Sequence, residues 1–279
     1  MKGLMIQGTS SDSGKSFLVT GLCRLFKRDF NLRICPFKSQ NMSNISYKTH
    51  DGLEMSLAQA LQAKAAGLEP EVFMNPILLK PKHEKSSDII LNGKIFEHSG
   101  KYFGDFTQNE GINAVKEALR YIEKNFEAII IEGAGSPAEI NLNAHEIVNM
   151  RIAREADVPV ILVADVDRGG ALASVVGTLE LLGQDRERVK GIIFNKFRGD
   201  IDLFKPAVEW TENYTKIKVV GVLPFAKNIL LDAEDSLSEA AIKNLKSENL
   251  IKGYESFDAI ADLIKNNLNV NFLYSLMSR

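Results

Sequence analysis

Six short apolar runs, at residues 4–6, 32–35, 128–131, 160–164, 191–194 and 219–223, recur along the chain, each too short and too uniformly apolar for a strand with one wet face. Strands covered on both faces read in this way, and they belong to parallel sheets. Helical patterns fill the intervals, around residues 14–28, 53–66, 111–125, 145–156, 171–182 and 203–214. The alternation predicts an α/β fold, a doubly wound and mostly parallel sheet with right-handed crossovers. Ligands of such a sheet gather beyond the carboxyl ends of its strands.

Two segments depart from this rhythm. Residues 67–110 hold Pro70, Pro76, Pro81 and a polar run from Lys82 to Asp88, which predicts an elaboration bordering the site. From about Ser236 the strands stop and two helical patterns remain, at 239–246 and 257–267. The expected organisation is a main domain over 1–237 and a short helical appendage over 238–279. The net charge of -2, with Lys and Arg spread rather than massed, gives no cationic field for nucleic acid. No apolar run approaches the ~18 residues that span a bilayer, and no leader pattern opens the chain, so a cytoplasmic protein without a membrane partner is expected. Cys23 and Cys35 are too few for a disulfide framework, and His50, His83, His98 and His145 lie far apart. Buried thiols in a reducing compartment are the simplest reading.

The chemistry concentrates where the apolar runs end. Residues 8–16, GTSSDSGKS, follow the first run and precede a helix that starts near Lys15. Successive backbone N–H groups of Gly8, Thr9, Ser13 and Gly14 and the helix N-terminus offer an anion socket. Lys15 adds a positive charge for terminal phosphates, and Ser16 a hydroxyl for Mg²⁺. The usual phosphate-binding pattern has one residue fewer between its first Gly and the Gly-Lys-Ser end. The second run leads into PFKSQNMS, which sets Lys38, Gln40, Asn41 and Ser43 beside that loop, a combination suited to an anionic substrate. Asp51 could ligate Mg²⁺, directly or through water, or cap the helix that follows. Glu132 ends an aliphatic run before Gly133 and Gly135, a position open to a metal. Ser136, Glu139 and Asn141 form a polar loop that could contact substrate. Arg168, in DVDRGG, is a candidate for transition-state charge or a substrate carboxylate, with an ion pair to Asp165 or Asp167 as the alternative. Asn195 and Lys196 could take the edge and face of a purine. Position 198, where a guanine-reading acid would stand, is Arg, so adenine is expected. Pro224, in GVLP, could close the base pocket.

Together GTSSDSGKS, PFKSQNMS, DGLEMSLAQA, MNPILLKP, EGAGSPAEINL, DVDRGGALASVVGTLELL, NKFRGD and GVLP, in order from residue 3 to about 237, strongly resemble the cobyric acid synthase family. The resemblance implies a P-loop NTPase fold of the dethiobiotin synthetase type, which shares the lengthened loop. It implies ATP and Mg²⁺ as cofactors and a corrinoid substrate, adenosylcobyrinic acid a,c-diamide, amidated at its b, d, e and g carboxylates. Lys15 and Ser16 match the family's phosphate and Mg²⁺ residues. Lys38, Asp51 and Glu132 match the substrate-side lysine and the acidic metal ligands of the wider group. Full-length members carry a glutamine amidotransferase-like domain, and no residue here matches its Cys nucleophile and His. Ammonia is therefore expected free or from a separate glutaminase subunit, and a homodimer stays open. The competing classes are a partitioning-type ATPase switch, a related ligase for another acid, and a chain that binds without amidating.

Overall fold

In a computed structural model, residues 1–83, 86–96, 103–141, 146–226 and 250–277 are described. The predicted helical pattern at 239–246, together with His98 and His145, lies outside them. The expected strands and helices alternate as predicted. β1 (Gly3–Gly8) leads to α1 (Lys15–Phe30), and β2 (Ile34–Phe37) to the short strands β3 (Gln40–Met42), β4 (Ser46–Lys48) and β5 (Glu54–Ser56). After α2 (Leu57–Ala65) come β6 (Ile77–His83), β7 (Ser86–Leu91) and β8 (Lys94–Ile95). A single helical turn, α3 (Phe103–Phe106), runs through a π-helical segment at Thr107–Gly111 into α4 (Ile112–Asn125). Then β9 (Ala128–Glu132), α5 (Met150–Ala156), β10 (Val160–Asp165), α6 (Ala171–Leu181), β11 (Val189–Phe197), α7 (Lys205–Thr215) and β12 (Lys218–Pro224) follow. Two closing helices, Leu250–Asn267 and Val270–Met277, end the described chain.

The main sheet has six strands in the order β12-β11-β10-β1-β9-β2, every pair parallel. β1 lies between β9 and β10, where the strand order reverses, and its loop opens at the central crevice. The uniformly apolar runs have a direct cause. Leu4 and Ile6 of β1 face one buried cluster and Met5 the other, and Ile130 of β9 opposes Ile129 and Ile131 in the same way. With both faces dry, the period of two that marks a half-wet strand disappears.

Three features change or fill in the expectation. Residues 54–56 begin not a helix but a strand paired antiparallel with β4. The irregular segment after residue 67 supplies β6, β7 and β8, which join β3 in a second sheet of four strands, order β3-β6-β7-β8. The closing helices lie against α1 and bury Ile260, Ile264, Leu268, Leu273, Leu276 and Met277 in the cluster that also holds Leu4 and Ile6. The close approach is made at Gly21, where a Cβ would stand 2.4 Å from Ile260 Cγ2. Arg24 grips Asp258 with two hydrogen bonds of 2.8 and 2.9 Å along the same seam. Among the described residues no helix is long and apolar enough to cross a membrane.

Candidate active site

The loop after β1 is shaped by what will not fit there. A Cβ at Gly8 would fall 2.1 Å from Ser13 Oγ, and one at Gly14, whose φ is 94°, would fall 2.1 Å from Asn195 Nδ2. Both glycines are required by close approach, and Gly14 also by its left-handed backbone. Asp12, at φ 55°, makes the other left-handed step of the lengthened loop. α1 begins directly after Gly14 with no side chain capping it, so its first N–H groups open into the loop. Ser13 Oγ is buried with no protein partner, an orphan of the kind an oxygen-rich ligand satisfies. Lys15 is 2% exposed, and its Nζ donates to the carbonyls of Ser10 (3.1 Å) and Gly135 (3.3 Å). The ammonium is thus held over the loop, between the ends of β1 and β9.

Glu132, the last residue of β9, is the centre of the site and fully buried. Ser16 Oγ and Lys38 Nζ each donate to its Oε1 at 2.8 Å. Gln62 Nε2 donates to Oε2, and Gln59 Nε2 reaches the same oxygen at 3.4 Å. Lys38, just past β2, is itself only 2% exposed, which makes this a buried ion pair. Such a pair needs further hydrogen bonds to offset its desolvation, and the hydroxyl and the two amides supply them. The sequence singled out Ser16, Lys38 and Glu132, and the structure brings them together on one oxygen. It missed Gln59 and Gln62, whose only signal was two amides three residues apart in an Ala-rich helix, a spacing that sets both on one face.

Asp51 is not brought into this group. It sits in the turn of the β4–β5 hairpin, exposed, accepting from Thr49 Oγ1, and that hydroxyl holds its carboxyl below the ordinary aspartate value. In the same hairpin Glu54 accepts from Lys80 and Ser46; burial raises its pKa, but these donors outweigh it and the net shift is downward. Among the described residues no three His, Cys, Asp or Glu side chains cluster. A hard cation here would rely on Ser16 and Glu132 together with phosphate and water oxygens, a donor set that suits Mg²⁺.

Of the substrate-side candidates, Asn41 is buried, donating to Ser56 Oγ (2.6 Å) and Gln59 Oε1 (3.1 Å). Gln40 beside it keeps a buried Oε1 with no protein partner, and Ser43 Oγ bonds the carbonyl of Ile45. Glu139 Oε1 accepts from Ser136 N (3.1 Å), so these two shape the turn at Gly135, whose φ is 55°. Arg168 is 62% exposed and pairs with Asp12 of the loop (3.2 Å), with Asp165 at 3.8 Å, close to the alternative read from sequence. Asn195 also reaches the phosphate loop. Its Nδ2 donates to Ser13 O (2.9 Å) and its Oδ1 accepts from Lys196 N, so it braces the phosphate loop. Lys196 Nζ meets Asp12 O and Asp165 Oδ2. Pro224 is exposed beside Phe197, and Arg198 lies 3.4 Å over the Phe225 ring while pairing with Asp167. Both cysteines are buried, and burial pushes both thiols well up, away from nucleophile chemistry.

Residues 4–238 match the family described as the CobQ/CobB/MinD/ParA nucleotide binding domain. The chain belongs to this family. Within the CobQ/CobB/MinD/ParA domains, the cobyric acid synthase of Moorella thermoacetica is 55% identical over 239 residues, covering 85% of this chain and 46% of that protein. That of Clostridium botulinum is 50% identical over 240 residues, covering 86% and 48%. The chain spans about half the length of the curated relatives it matches. Among solved structures, the MinD cell division protein of Aquifex aeolicus aligns over 95% of this chain and 98% of its own, at 11% identity and a TM-score of 0.47.

Proposed function

We propose that this chain is an ATP-dependent carboxylate amide ligase that makes cobyric acid, amidating the b, d, e and g carboxylates of adenosylcobyrinic acid a,c-diamide. The observation that carries the reading is the convergence of Ser16 and Lys38, both at 2.8 Å, on one oxygen of buried Glu132, beside the loop that holds Lys15. A second buried lysine at the mouth of the neighbouring strand suits an amide ligase, because a carboxylate resists ammonia until it becomes an acyl phosphate. The 50–55% identity to the two cobyric acid synthases supports the corrinoid as the acid.

The loop amides and Lys15 would hold the triphosphate of ATP, and Ser16 and Glu132 would hold Mg²⁺. Bound there, the cation supplies charge neutralisation at the phosphoryl oxygens. Lys38 would orient the attacking carboxylate and stabilise charge as the γ-phosphoryl moves; ammonia then displaces phosphate and leaves the amide. Gln40, Asn41, Ser43, Ser136, Glu139 and Arg168 form the rim proposed to face the corrinoid. Ammonia would arrive free or from a separate glutaminase.

The test incubates the purified chain with ATP, Mg²⁺ and adenosylcobyrinic acid a,c-diamide, with ammonium or with glutamine, and follows the products by mass spectrometry. Stepwise conversion of carboxylate to amide with ammonium is expected. ATP turnover that ignores the corrinoid would favour a partitioning-type switch, and stimulation by a different acid would move the substrate class.

A further inference from the structure

The buried amides around Glu132 belong to a closed hydrogen-bonded ring. Lys38 Nζ meets Glu132 Oε1 at 2.8 Å, and the Lys38 carbonyl accepts from Asn75 Nδ2 at 3.0 Å. Asn75 Oδ1 accepts from Ser56 N (3.0 Å), and Ser56 Oγ from Asn41 Nδ2 (2.6 Å). Asn41 Nδ2 also reaches Gln59 Oε1 (3.1 Å), and Gln59 Nε2 returns to Glu132 Oε2. Every member is 7% exposed or less. Gln62, fully buried, joins the ring at Glu132, its Nε2 on the same Oε2.

Two wholly buried glutamines in a nine-residue helix are a poor choice for packing, because each amide must be hydrogen-bonded or carry a desolvation penalty. Leucine or methionine would fill the volume without that demand. Both amides instead send a donor to a single carboxylate oxygen, leaving the other oxygen turned to Ser16 and Lys38. A carboxylate fixed by one oxygen cannot rotate to present both to a cation. Resting on the reading of Glu132 as the cation-facing acid, we infer that Gln62 and Gln59 are positioning residues that clamp Glu132 Oε2 and so fix Oε1 as the ligating oxygen. Through Gln59 and Asn41 the clamp also links the strand at the substrate rim to the acid at the nucleotide rim.

Titration of the chain with a fluorescent, non-hydrolysable ATP analogue, in EDTA and then in Mg²⁺, separates this role from a structural one. The Mg²⁺-dependent gain in affinity should fall about tenfold in Gln62→Met and by a smaller factor in Gln59→Met, with EDTA affinity within about twofold of wild type. Melting in EDTA should fall modestly in both variants, since each removes a buried donor to Glu132 Oε2, and the two-condition affinity comparison separates that cost from the clamp. Equal losses with and without Mg²⁺, or an unaltered gain, would overturn the inference; if Gln62→Met fails to fold, Gln59→Met decides. A chain that binds the Mg²⁺ nucleotide normally yet amidates nothing would sink the proposed reaction and leave the clamp standing.

Discussion

At the scale of single residues, Lys15 and Glu132 differ in what their loss would do. Lys15 Nζ donates to the carbonyls of Ser10 and Gly135, and Lys15→Ala should lower the proposed amidation by roughly a hundredfold or more while keeping the fold, the loss expected for a donor aimed at developing charge. Phosphate release assays and circular dichroism on the same sample check both halves. Glu132→Gln removes the carboxylate that pairs with Lys38, 2% exposed, and should cost up to about 3–5 kcal/mol of stability besides weakening Mg²⁺-dependent ATP use. Adding Lys38→Met should recover part of that loss, and a double-mutant cycle from urea unfolding measures it. Little recovery would mean the two charges are not the coupled pair drawn here. The phosphate loop and Glu132 were legible because a Gly-rich turn after an aliphatic run has few other uses. Gln59 and Gln62 were not, since a glutamine within a helix is ordinary and its value came from burial against a strand seventy residues away in sequence.

At the scale of elements, the seam between α1 and the first closing helix mixes ion pairs with apolar contacts, and magnitude ranks them. Ile264 is fully buried, so Ile264→Ala should cost about 2–5 kcal/mol, whereas Asp258→Ala, removing partly exposed pairs, should cost about 1 kcal/mol or less. Thermal melts order the two, and a larger loss from Asp258→Ala would make the seam electrostatic. Asp29 on α1 is held down to about 2 from an ordinary value of 3.8, first by its Arg28 bond and then by Lys265 of the closing helix. Because the folded value is depressed, the stabilisation is present above about pH 4 and vanishes as pH falls through about 2. Melting temperature should therefore drop more steeply over that window in wild type than in Asp29→Asn. The helices and main strands were readable from apolar periodicity. The second sheet was not: β3 and β8 are three and two residues long, too short for any period to register, and Pro81 in β6 and the polar Ser86–Asp88 stretch in β7 read as an irregular segment.

At the scale of the molecule, the family match ends at residue 238 while two of the three apolar clusters continue past it, the larger through the closing helices. A chain cut after residue 237 would uncover the side of α1 that carries Leu18, Leu22 and Leu25, and would remove six large buried side chains of the closing helices. At about 1.5–3 kcal/mol each the loss is on the order of 10 kcal/mol, comparable to the whole stability of a domain. The shortened chain should fail to show a cooperative melt; one that melts like the original would mark the closing helices as an independent unit. The hydrogen-bonded ring carries a different consequence, for anyone wishing to retarget the proposed ligase. Each of its members satisfies a neighbour, so exchanging any one orphans another in a dry interior, and productive variants will require simultaneous compensating replacements. Selection for new acids is better aimed at Gln40, Met42 and Ser43, which border the ring without closing it.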